Sequence, residues 1–149
     1  MGHSLLGVLR HTHPHVLENV DTLYRHTKLI AAATPIALIT TQLSLDLNQP
    51  FEFAYAHAAT ALVPAICEVA LPEQNDRALD IVIVGNVASL GYLAAMNEKY
   101  WAMGLSFLSA LNHFSYKPIC EHFDVPKIDL FTYGLGFFTI FAVNCLSEK

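Results

Sequence analysis

Charge is missing from most of this chain. Five stretches carry no Asp, Glu, Lys or Arg: Leu29–Leu45, Phe53–Cys67, Ile81–Asn97, Tyr100–Tyr116 and Leu130–Ser147. They run 17, 15, 17, 17 and 18 residues, which is 84 of 149. A helix needs about 20 mainly apolar residues to cross a bilayer, with a usable range of roughly 17–25. A soluble helix of that length shows a charged face every turn, and these show none. A soluble all-α bundle is the alternative, but a chain this short cannot bury five apolar helices on all sides. The spacing therefore predicts an all-α polytopic integral membrane protein. We expect five transmembrane helices at about 29–45, 51–71, 79–97, 100–116 and 129–147, after an N-terminal segment, residues 1–27, with an amphipathic surface helix.

The remaining charges give an orientation. With the N-terminus inside, inner segments hold Arg10, Arg25, Lys28, Arg77, Lys117 and Lys127, and outer ones hold Lys99 and Lys149. Six against two follows the positive-inside rule. Four spans, without the second window, would put Lys99 inside and Arg77 outside. Residues 1–27 lack the apolar core and cleavage site of a secretory signal, and their first acidic residue is Glu18. That fits a mitochondrial-type leader and an inner-membrane location with the N-terminus in the matrix; the endoplasmic reticulum and plasma membrane are alternatives. His13-Pro14 reads as a helix start, and Val16, Leu17, Val20, Leu23 and Tyr24 follow at helical spacing. A net charge of −5 without a basic cluster excludes nucleic acid as a partner.

Inside the spans, Pro35 frees a carbonyl that Thr34, Thr40 or Thr41 can take up. Asp46–Pro50 and Asn97–Lys99 read as tight turns, Pro72–Asp76 as a polar loop and Lys117–Asp129 as a polar connector. Gly85-xxx-Ser89 and Gly91-xxx-Ala95 are small-residue faces for close helix contact, and Asn86 and Asn112 are candidates for interhelical hydrogen bonds. Tyr100 and Trp101 mark one interface, Tyr116 the other. Cys67, Cys120 and Cys145 are too scattered for a disulfide framework or a zinc site. His11, His13 and His15 alternate, but no Cys or carboxylate completes a metal set. No esterase, zinc-protease, phosphate-loop or dinucleotide motif occurs.

His57 stands out, because an ionisable group inside a span faces protein, cofactor or water. Two histidines on different helices can hold a haem, and His113 is the other candidate. Counted from the outer ends of their spans, however, the two differ in depth by about 11 Å at 1.5 Å per residue. A haem on His57 would therefore take its other ligand from another chain. Glu68 and Asp80 flank the inner loop near Arg77, as a proton- or quinone-side site or as charges snorkelling to water.

In layout, Lys28–Glu98 resembles the small cytochrome-b membrane-anchor subunit of succinate dehydrogenase. A proline-bearing span (Pro35) precedes a span with an outer-half His (His57), an acidic residue at its inner end (Glu68), and a third span. The resemblance implies that His57 is an axial haem b ligand shared with a partner chain and that Glu68 lies near a quinone. Tyr100–Lys149 has no counterpart in that three-span family. The expectation is a non-catalytic membrane subunit of a multi-subunit respiratory-chain complex, with other membrane subunits and lipids as partners. A small oligomeric transporter or channel is the alternative, and a membrane enzyme ranks last.

Overall fold

The computed structural model describes residues 17–70, 75–123 and 127–148, and among these it is helical apart from short turns. We number the helices α1 Leu17–Asp46, α2 Phe51–Thr60, α3 Val63–Ala70, α4 Asn75–Met96, α5 Tyr100–Ala110, α6 Tyr116–Phe123 and α7 Lys127–Ser147. A π-helical turn, Leu111–Ser115, joins α5 to α6. The expected helix start at His13-Pro14 and the three alternating histidines lie outside the described residues. So does most of the Pro72–Asp76 loop.

Two helices are long and apolar enough to cross a membrane, His26–Asp46 within α1 and Arg77–Met96 within α4. The pair α2–α3 makes a third if taken as one span, bent by 48°. This is fewer than the five expected, and the interruptions explain the difference. Pro64 has no N–H to give and its ring crowds the carbonyl of Thr60, so α2 stops there and α3 restarts at Val63. The π turn divides Tyr100–Phe123 into shorter pieces. The apolar part of α7, Thr132–Ser147, falls short of full span length. Two boundaries also move. The N-terminal helix is not separate from the first span, since α1 runs unbroken from Leu17 to Asp46. The expected polar connector is largely helix, because Tyr116–Phe123 forms α6.

Both tight turns form as expected. Each ends its helix on a residue in the left-handed region, Asn48 at φ 55 and Glu98 at φ 57. The next amide reaches back to the last turn, Gln49 N–H to Ser44 O at 2.9 Å and Lys99 N–H to Ala94 O at 2.9 Å. These bonds satisfy carbonyls that a helix end leaves open.

Ile36, Ile39 and Leu43 of α1 meet Leu90, Leu93 and Ala94 of α4, Ala102 and Leu105 of α5, and Cys145 of α7. Phe138, Phe141 and Ala142 complete the α7 stripe at helical spacing. Gly91 lets α5 come close, since a Cβ there would lie 2.9 Å from Ser106 Oγ. A Cβ at Gly104 would run into the Phe141 ring. Gly85 has nothing within 4 Å and faces outward, and Ala95 is exposed, so of the two expected small-residue faces only Gly91 makes a close helix contact. Among the described residues nine large aliphatic side chains are buried, while 24 large apolar ones are exposed. The buried set includes Thr40, Thr41, Ser44, Ser106 and Ser109. The helix bundle is thus more polar inside and more apolar outside than a water-soluble one.

At one end of the bundle, α5 and α7 are clamped by Glu148. No side chain of its own caps α5 at Lys99. Instead the Glu148 carboxylate accepts the amides of Tyr100 at 3.0 Å and Trp101 at 3.2 Å, and Lys99 Nζ donates to its carbonyl at 3.1 Å. Leu43 and Leu47 beside the first turn, Ala94 beside the second and Cys145 of α7 pack in one cluster, so both turns and the end of α7 share one end of the bundle.

Candidate functional site

The bend between α2 and α3 faces a polar residue on α4. Asn86 is 1% exposed. Its Nδ2 donates to Val82 O at 2.9 Å and to Thr60 Oγ1 at 2.8 Å. A carbonyl can only accept, so the amide nitrogen must lie on that side and Oδ1 must face His57. His57 Nδ1 lies 2.9 Å from that Oδ1 and is therefore the protonated ring nitrogen. Thr60 Oγ1 in turn donates to His57 O at 2.6 Å. Thr40 reaches the same level, donating to Ile36 O at 2.8 Å and lying 3.4 Å from Asn86 O. One asparagine thus ties α2 to α4, with α1 alongside. Asn86 and Asn112 both act as interhelical hydrogen-bonders, the latter donating to Gly134 O of α7 at 3.1 Å.

With Nδ1–H committed, neutral His57 carries its lone pair on Nε2, which has no partner among the described residues. The Phe53 ring packs edge-on against the imidazole at 4.8 Å and holds its plane. A ring oriented by a hydrogen bond from its other nitrogen is what a metal-ligating histidine requires. His57 would thus be the single residue at this point to offer a ring nitrogen to a metal, among the described residues.

His113 is not the other. It stands on the π turn and donates Nε2–H to Asp80 Oδ1 at 2.7 Å, the histidine 23% and the carboxylate 55% exposed. The two histidines dock on α4 six residues apart, at Asn86 and Asp80. That is about 9 Å along the axis and about 120° around it at 3.6 residues per turn. The two histidines therefore dock at different heights and on different faces of α4. Of the other site candidates, Asp80 belongs to this pair, and Glu68 is 9% exposed on α3. The pairing of Asp80 with His113 has no sequence signal, because the π turn that positions His113 has none.

The threonines of α1 do not take up the carbonyl freed at Pro35. Thr34 donates to Ile30 O at 2.6 Å, Thr40 to Ile36 O and Thr41 to Ala37 O at 2.8 Å. The freed group is that of Ala31. Thr34 instead bonds one turn back on its own account, and the others lie too far along the helix to reach Ala31. Cys120 and Cys145 are buried and Cys67 half-buried, all as free thiols. No three His, Cys, Asp or Glu side chains converge on one point among the described residues.

These features define a class: an all-helical chain with at least two apolar helices of membrane-crossing length, linked through buried polar side chains. The chain belongs to the family described as domain of unknown function DUF4791, which matches residues 1–146. No curated protein and no solved structure matches it.

Proposed function

We propose that this protein is a non-catalytic, membrane-embedded subunit of a multi-subunit complex, in the first instance a respiratory-chain complex of the mitochondrial inner membrane. The observation that carries the reading is the exposed apolar surface. Tyr133, Leu135, Phe137, Ile140 and Val143 are all exposed on α7, and Ile81, Val84 and Tyr92 on α4. Such a surface is stable only against lipid or other apolar helices. Little chain is left outside the helices to hold a catalytic site. The topology that fits is five crossings, with α2–α3 as one bent span and Tyr100–Phe123 as one span through the π turn. The shared end of Asp46, Lys99 and Glu148 supports that alternation.

In the anchor form of this proposal, His57 would give Nε2 to a haem b and a partner chain the second ligand. Bound there, haem supplies one-electron transfer. Asn86 would hold the imidazole in the ligating tautomer. Asp80 with His113, and Glu68, would form the proton- or quinone-side groups nearer the inner end.

Gentle-detergent purification of tagged protein from native membranes tests the reading, with mass spectrometry and a reduced-minus-oxidised spectrum on one sample. Co-purifying respiratory subunits are expected, and a b-type band lost in His57→Ala would establish the anchor form. A small homo-oligomer without partners would overturn the subunit reading. The bent pair α2–α3, with His57 one turn before its break and Glu68 at its inner end, favours a second reading as a transporter. Proteoliposome flux abolished by His57→Ala would support that one.

A further inference from the structure

The main packed cluster reaches Ile36 on α1, and beside Ile36 the bundle opens on one face. A cleft of about 390 Å³ lies between α1, α4, the π turn and α7. That is the size of a site for one small ligand. Its α1 wall is Lys28, Ala32 and Pro35, residues three or four apart on one face. Lys28 and Pro35 are seven residues apart, about 10 Å along the helix. Asn112 and His113 stand towards the Lys28 end, and Ile36 and Phe138 towards the core. The cleft is therefore polar at one end and apolar at the other.

Among the described residues, the polar end has one charge without a charged partner. His113 Nε2–H is committed to Asp80, and Asn112 Nδ2 to Gly134 O. Asp80 does not line the cleft and is largely exposed, where its charge is screened. Lys28 lines it, is exposed, and meets no acidic partner among the described residues. A neutral ring would leave that ammonium unused, whereas a monoanionic headgroup would match it.

We propose that this cleft binds one single-chain anionic amphiphile, a fatty acid, with its carboxylate at Lys28 and its chain running past Pro35 to Ile36 and Phe138. The site is independent of the subunit reading and of any haem at His57.

The test uses the full-length protein in nanodiscs of zwitterionic lipid, titrated with the fluorescent fatty acid cis-parinaric acid. Saturable one-to-one binding is expected, displaced by palmitate but not by hexadecanol. Lys28→Gln should weaken it about tenfold, the loss of one charge-assisted hydrogen bond. Ile83→Trp should block it by filling the cleft, and Lys99→Gln, at the far end, should leave it unchanged. Equal displacement by hexadecanol, or unchanged affinity in Lys28→Gln, would overturn the proposal. So would stronger displacement by a short-chain ubiquinone or by lysophosphatidate. On the unaltered protein, a fatty acid with a diazirine in its tail should cross-link near Pro35–Ile36 and Phe138. Cross-links scattered over the exposed face of α7 would equally reject the site.

Discussion

Asn86 ties two helices together with one side chain. It uses its carbonyl and both amide hydrogens across two helices. Interhelical hydrogen bonds in membranes average about 0.6 kcal/mol, and two of the three cross between helices, so they amount to about 1 kcal/mol. We expect Asn86→Leu to lower the melting midpoint of the purified protein by on the order of 3 °C. Combined with His57→Phe, the loss should be less than additive, because the two share a bond. Glu148 is the other residue whose loss should be felt. It caps α5 from the far end of the chain, and Glu148→Ala should cost about 1 kcal/mol. Glu148→Gln should cost less, since an amide oxygen still accepts one N–H. Denaturant titration followed by helical ellipticity checks both. Asn86 and His57 were legible in the sequence because polar groups in apolar windows must find partners. Which partner each finds was not, since that depends on where α2 bends.

At the scale of elements, local chemistry predicts breaks better than it predicts contacts. Pro64 and the turns at Asn48 and Glu98 follow from backbone geometry. The π turn has no such signature, yet it sets Asn112 against α7 and His113 against Asp80. Glycines show the same limit. Gly85 and Gly91 look equivalent in sequence, but only Gly91 meets another helix, and Gly104 is packed more tightly than either. Gly104→Val should therefore destabilise by about 1–3 kcal/mol through overpacking against Phe141. Gly85→Val should stay within about 0.5 kcal/mol. Comparing the melting midpoints of the two variants separates a packing glycine from an exposed one.

For the whole molecule, the number of crossings is the central claim. The charge-free windows made an all-helical fold legible, because composition alone forbids so many soluble helices in so short a chain. They overstated how regular the spans are, since Pro64 and the π turn leave no mark on charge. The proposed alternating order is supported by the Asp80–His113 pair towards one end and the Lys99–Glu148 clamp at the other. The most direct test is cysteine accessibility in sealed native membranes. Cys67, Cys120 and Cys145 would be replaced by Ser, and single cysteines placed by Gln49→Cys, Glu98→Cys, Arg77→Cys and Lys127→Cys. Five crossings predict that an impermeant maleimide labels positions 49 and 98 from one side and positions 77 and 127 only from the other. Labelling of all four from the same side would contradict the account.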